Sequence, residues 1–333
     1  MKIDIHAHIM PENPPNWFKK FGYGDFITLE HHESCCARMI KGDRVFREIQ
    51  PNCWSARERI KDMDATEVGI QVLSTIPVLF NYWAKPEHTL ETARFFNDHI
   101  AETVALFPDR FQGLGTVPMQ DVDLAVKELE RCVRELHLPG VEIGTNINQR
   151  NLSEPEFEPF WAAAEALDAC IFVHPWDMMG MDDIRRYWLP WLVSMPAETS
   201  RAICSLIFSG VLERHPKLRF AFAHGGGSFP ATVGRVQHGF DCRPDLCAID
   251  NPIPPKNYLG KFWIDSLVHD PKALDFIIDI VGADKICLGS DYPFPLGEQH
   301  PGKLIESHLE DETLRKKLLY QNAIGWLGRD ILK

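Results

Sequence analysis

A chain of 333 residues with 45% apolar and 25% charged side chains has ordinary globular composition, which excludes a disordered chain or a coiled coil. Acidic residues outnumber basic ones 47 to 35, and the formal net charge of −12 makes nucleic acid and acidic membrane surfaces unsuited partners. At about 150 residues per domain the length allows one large domain or two ordinary ones, with a core that needs no disulfides.

The chain begins Met1-Lys2-Ile3-Asp4-Ile5-His6 without a long apolar run, so no secretory leader is expected there. The apolar stretch Ala202–Leu212 is too short to span a bilayer and is broken by serines. Nine scattered cysteines without a CxxC argue against a disulfide framework or a zinc finger. Free thiols in a reducing compartment, the cytosol, are the expectation.

In chain order, the first strand-like run is Lys2–His6. The segment 11–52 then breaks the rhythm with Pro11, Pro14 and Pro15, the aromatics Trp17, Phe18, Phe21, Tyr23 and Phe26, and a basic stretch through Lys41, Arg44 and Arg47. It reads as a small insertion after the first strand, either a lid-like subdomain or a plain surface excursion. Seven further runs follow: Gly69–Ser74, Phe111–Val117, Val141–Gly144, Cys170–His174, Arg219–His224, Phe262–Ser266 and Ile286–Ser290. Most are continuously apolar, as parallel strands buried on both faces are. Helical periodicity lies between them, for example Leu124, Val126, Leu129 and Val133, or Leu274, Ile277, Ile278 and Val281. Eight alternations point to a single (β/α)8 TIM-like barrel over residues 1–333, with a doubly wound sheet as the competing architecture.

Ionisable residues fall where these strands end. His6 and His8 are spaced i, i+2, so on a strand they point the same way and can grip one ion. His174 ends the fifth run, His224 the sixth, and Asp291 follows the eighth. One strand-end histidine is usually only a hydrogen-bonded core residue. In a barrel, however, all C-terminal strand ends meet at one mouth, and four such ends would converge there. Nitrogen donors with a carboxylate suit Zn2+ best, with Fe2+, Co2+ or Mn2+ as alternatives. No lysine lies between Lys127 and Lys217, so the middle strands cannot supply the carboxylated lysine of two-metal barrels, and one ion per chain is expected. GxSxG is absent, and Gly113-Leu114-Gly115-Thr116-Val117-Pro118 ends in proline where a dinucleotide loop needs glycine. No organic cofactor is expected.

These motifs resemble the amidohydrolase superfamily, and within it the metal-dependent decarboxylases. The likeness runs from Met1 to the last helix. It rests on Asp4-Ile5-His6-Ala7-His8, Val173-His174-Pro175-Trp176-Asp177, Trp188-Leu189-Pro190-Trp191, Met195-Pro196-Ala197-Glu198-Thr199, Ala223-His224-Gly225-Gly226-Gly227, and Asp291-Tyr292-Pro293-Phe294-Pro295-Leu296-Gly297-Glu298. The resemblance implies an amidohydrolase-type barrel in which His6, His8, His174 and Asp291 hold Zn2+. It implies that His224 handles a proton beside the metal, with Asp291 sharing the proton traffic. It also implies a conjugated dicarboxylate substrate, for which Arg47, Arg235 and Arg243 are the candidate partners, since guanidinium forks onto carboxylate. Trp191 and Phe294 would flank the planar substrate. A homodimer is implied, Arg235 reaching the neighbouring site. A hydrolase of an amide or lactone, or a decarboxylase of an aromatic acid, would use nearly the same residues.

Overall fold

The computed structural model describes residues 1–33, 35–181 and 183–331. Eight parallel strands run in sequence order around one sheet: β1 (Ile3–His8), β2 (Ile70–Ser74), β3 (Phe111–Thr116), β4 (Gly140–Gly144), β5 (Cys170–His174), β6 (Arg219–Phe222), β7 (Trp263–Asp265) and β8 (Ile286–Cys287). Backbone bonds close the ring between β1 and the chain around and after β8. Ile5 N–H donates to the Leu288 carbonyl at 2.9 Å, and His8 N–H donates to Tyr292 at 2.8 Å. This is the (β/α)8 barrel, and the doubly wound alternative is excluded.

Each strand run of the sequence is a strand here, with shifted ends. β1 reaches His8 because Ala7 continues to pair, with Leu73 on one side and Tyr292 on the other. β6 stops at Phe222, since His224 and Gly225 have φ of 58° and 63° and leave the extended region. The helix Val122–Arg134 starts on the Asp121 carboxylate, which accepts the Leu124 N–H at 3.0 Å. Its fully buried stripe is Ala125, Glu128, Leu129 and Cys132, with Val126 and Val133 partly buried against the same core. Glu128 is a fully buried carboxylate that accepts from Asn97, Arg94 and Arg131 and so helps fix which side faces inward. The helix Pro271–Val281 buries Leu274, Ile277 and Val281, as its periodicity implied.

Apolar side chains fill two layers. Ile3, Ile5, Val72, Leu114, Phe172 and Ala221 pack inside the barrel, and Trp326 on the helix Asn322–Leu327 plugs its floor. A larger layer lies between the strands and the surrounding helices. With the floor filled, the open end is the C-terminal mouth of the strands.

The excursion after β1 contains a helix, Trp17–Phe21, and an antiparallel sheet of Thr28–Glu33, Cys36–Lys41 and Arg44–Ile49. Its apolar side (Ile27, Ala37, Met39, Ile49) packs on Ile76, Val78 and Leu79, just beyond the end of β2. This docking carries the strand Arg44–Ile49 to the barrel mouth. No helix among the described residues is long and apolar enough to cross a membrane.

Candidate active site

Four donor atoms meet at the mouth. His6 and His8 project from β1, His174 ends β5, and Asp291 lies four residues past β8; one donor from each lies within 4.8 Å of all the others. His6 Nε2 is 3.2 Å from His8 Nε2, and Asp291 Oδ1 is 3.4 Å from the first and 3.1 Å from the second. All four residues are buried.

The outer nitrogen of each imidazole is fixed by an oxygen. His8 Nδ1 faces the Thr75 carbonyl at 2.9 Å and His174 Nδ1 the Pro175 carbonyl at 3.0 Å. His6 Nδ1 lies 2.7 Å from Asp265 Oδ2. Carbonyl and carboxylate oxygens accept, so the three Nδ1 atoms donate and each Nε2 lone pair points inward. The Nε2 of His174 is buried and has no hydrogen-bond partner among the described residues, a buried polar atom that a divalent ion among these donors would satisfy. The donor set fits such an ion.

Protonation suits ligation at two of the three imidazoles. Burial lowers His8, and burial with the neighbouring imidazoles holds His174 well below its usual range, so both are neutral. Burial opposes charge on His6 as well, but the Asp265 and Asp291 carboxylates outweigh it and push His6 up to about 10. Asp291 is held well below the usual carboxylate range: burial opposes this, and the adjoining imidazoles of His224, His6 and His8 prevail.

His224 stands beside the quartet. Its ring lies 5.2 Å from that of His6 and 5.1 Å from that of His174, with Nε2 3.8 Å from Asp291 Oδ2 and Nδ1 buried without a partner among the described residues. His224 and Asp291 both adopt left-handed backbone, φ 58° and 57°, which non-glycine residues seldom do. The triglycine completes the turn: φ is positive at Gly225, Gly226 and Gly227, and a Cβ on Gly227 would lie 2.3 Å from the Pro196 carbonyl. Gly289 likewise gives room beneath the site, since a Cβ there would meet Asp265 at 2.6 Å.

Above the quartet opens a cavity of about 400 Å³, lined by His8, His174, His224 and Asp291 and walled by Phe46, Trp176, Trp191, Leu192 and Phe294. Arg47 is the only lysine or arginine among the described residues that line it. Its guanidinium lies 4.2 Å over the Phe294 ring, which in turn packs 5.6 Å from the His8 ring. Arg235 and Arg243 are exposed and lie outside this cavity, on and just beyond the helix Phe229–Cys242, and Arg243 is paired with Asp245.

Several supporting residues went unread in the sequence. Asp265 ends β7 and accepts from His6, from the N–H groups of His224 (2.9 Å) and Gly225 (2.7 Å), and from Leu267. It carries the strand-end signal that singles out His174. Asp4 takes the Ser290 hydroxyl at 2.6 Å and its N–H at 3.0 Å, fixing the residue before Asp291. The fully buried Arg59 donates to the His8 carbonyl and lies 4.7 Å over the Tyr292 ring. His269, with φ 59°, lies on the cavity rim.

Residues 3–329 match the family model described as Amidohydrolase. The chain belongs to the amidohydrolase family. It is 54% identical over 331 residues to 2-amino-3-carboxymuconate-6-semialdehyde decarboxylase of Dictyostelium discoideum, spanning 99% of this chain and 92% of that protein. It is 40% identical to the Caenorhabditis elegans protein of the same name, spanning 99% and 94%. Among the family's enzymes the chain stands with the metal-dependent decarboxylases, the carboxy-lyases. The fold also matches a solved structure of dihydroxybenzoic acid decarboxylase from Polaromonas sp. JS666, which holds manganese and an inhibitor. That match has a TM-score of 0.79 at 24% identity and covers 98% of this chain and 96% of the other.

Proposed function

We propose that the protein decarboxylates 2-amino-3-carboxymuconate-6-semialdehyde to 2-aminomuconate semialdehyde in the cytosol, as a homodimer with one Zn2+ per chain. In this role it acts in the kynurenine route of tryptophan degradation and draws flux away from quinolinate and NAD synthesis. The observation that carries the reading is the pairing, in one cavity, of the His6–His8–His174–Asp291 quartet with Arg47, the only lysine or arginine among the described residues that line it. The names of the Dictyostelium and Caenorhabditis relatives support the same substrate.

A divalent ion held by the quartet supplies Lewis acidity and lowers the pKa of a coordinated water towards neutrality. The chain's own groups do the rest. Arg47 grips a substrate carboxylate with two parallel donors and offsets the repulsion of a chain with net charge −12. Trp191 and Phe294 hold the conjugated chain flat against the cavity walls. Loss of CO2 leaves an electron pair on C3, which the semialdehyde conjugation spreads and a proton must quench. His224, 3.8 Å from Asp291, accepts a proton early and returns one to that carbon in this reading. Arg235 serves the neighbouring subunit's site, while Arg243 is the weaker candidate because Asp245 already holds it.

The test is incubation of the zinc-loaded protein with the aminocarboxymuconate semialdehyde, following its absorbance and CO2 release. Stoichiometric CO2 is expected. An inert substrate, alongside turnover of a dihydroxybenzoate or hydrolysis of an amide, overturns the assignment.

A further inference from the structure

The insertion carries a second group of metal-type donors, none of which lines the cavity. Where the strands Thr28–Glu33 and Cys36–Lys41 meet, Cys35 and Cys36 stand with their Sγ atoms 2.9 Å apart. Glu33 pairs directly with Cys36 in the ladder, and its Oε2 lies 3.6 Å from Cys35 Sγ. One donor atom from each of the three lies within 4.8 Å of the other two. Glu33 and Cys35 are exposed and Cys36 is half-buried, so an ion reaches them from solvent.

We propose that Glu33, Cys35 and Cys36 form a surface site for a soft, thiophilic divalent cation of the Zn2+ or Cd2+ class, separate from the catalytic quartet. Tetrahedral bonds of about 2.3 Å to sulfur and about 2.1 Å to oxygen set donor separations of about 3.6–3.8 Å. The Glu33–Cys35 spacing already meets this, and the two sulfurs need only part by roughly 1 Å. On binding, two sulfur–metal bonds form and the two thiol protons go to solvent; water fills the remaining position. Charge favours the ion, because Glu33 is itself a donor and Glu48 stands on the adjoining strand, where His32 Nε2 approaches it to 3.5 Å and the Arg38 guanidinium only to 3.9 Å. The shared hydrogen bond with Cys35, then burial and the Glu48 and Glu33 carboxylates, push the Cys36 thiol up to about 11. Such a thiol is a poor nucleophile at neutral pH, whereas a metal ion displaces its proton. The same middle strand pairs Met39 with Arg47, so an ion at its start ties down the sheet that presents Arg47.

The quartet contains no sulfur, so the ultraviolet charge-transfer band of cadmium–thiolate bonding reports the tip separately. Cd2+ is titrated into the full, reduced, zinc-loaded chain. One equivalent is expected to raise the band, with Cys35→Ser and Cys36→Ser each abolishing it and Glu33→Gln weakening binding about tenfold or more. Cys242→Ser serves as the control, because Cys242 Sγ lies 3.4 Å from His238 Nε2 and is the rival exposed thiol; it is expected to keep the band. Circular dichroism and retained quartet zinc establish that each variant is folded. A wild type without the band, or a Cys35→Ser/Cys36→Ser double variant that retains it, overturns the proposal.

Discussion

The carboxylate of Asp265 stands 2.7 Å from Nδ1 of His6, and the same oxygen accepts the backbone N–H of His224 at 2.9 Å. One buried side chain therefore orients a ligand imidazole and also pins the left-handed turn that aims the neighbouring histidine. Asp265→Asn keeps the shape but supplies a weaker acceptor and an amide that no longer offsets charge on His6. Zinc affinity is expected to fall about 10- to 100-fold, the usual scale for a group behind a ligand. Activity at saturating zinc should fall further, since His224 is misaimed as well. Full activity once zinc is replenished would show that Asp265 acts on the ligand alone.

Under the proposed roles, variants of His174 and His224 should separate ligation from proton transfer. His174→Ala removes a quartet nitrogen that has no other partner among the described residues, and both zinc and turnover should be lost. His224→Ala should keep zinc and lose roughly 10²- to 10⁴-fold in kcat. Elemental analysis decides: zinc retained in the first variant, or lost in the second, reverses the two assignments.

The sequence is most informative where burial is local. The β strands are apolar on both faces and stand out as continuous runs, and every strand-end histidine lies at the mouth. The insertion sheet is less legible because Thr28-Leu29-Glu30-His31-His32-Glu33 has no apolar run; it becomes buried only by docking on residues near Ile76. Asp265 escaped notice because its purpose lies in β1 and in the turn after β6, partners brought close by barrel closure alone. On Val122–Arg134 the apolar period finds Leu129, with Val126 and Val133 beside it, but not Glu128, which looks solvent-directed until Arg94 and Asn97 of another helix are placed beside it.

Arg47 approaches Phe294 and faces the cavity, with no carboxylate paired to it among the described residues. A charge-assisted partner of this kind is worth about 1.5–3 kcal/mol, so Arg47→Ala should lower kcat/KM about ten- to a hundredfold. Arg47→Lys should recover only part of this, because lysine neither forks nor stacks. Full recovery by lysine in steady-state assays would reduce Arg47 to a simple positive charge.

His99, on the helix Pro86–Leu106, has a buried Nε2 without a partner among the described residues. Burial, with the charge of Arg59 adding to it, lowers its pKa from 6.5 to about 4. The folded value lies below the unfolded one. Between these limits the unfolded chain takes up a proton that the native chain refuses, so stability drops as pH falls from 6.5 towards 4 and is level above. Each unit of depression is worth about 1.4 kcal/mol. Urea midpoints at about pH 7.5 and about pH 5 should differ more in the wild type than in His99→Gln; equal differences remove His99 as the source.

Arg235 is exposed and lies outside its own chain's cavity, which makes the proposed subunit boundary testable by mixing. Arg235→Ala should lose activity as Arg47→Ala does, if the side chain reaches a neighbour's substrate. Inactive Arg235→Ala chains mixed with inactive His224→Ala chains should then recover turnover. In the mixed dimer, the chain that keeps His224 receives Arg235 from its partner, and the other site lacks both. Random exchange of equal amounts makes half the dimers mixed, each with one working site of two, so recovery has a ceiling of about a quarter of the wild-type rate for a closed two-fold dimer. Subunit exchange is confirmed separately by mass. With exchange established, no regain of activity means that Arg235 serves its own chain or only the surface, and the shared-site model fails.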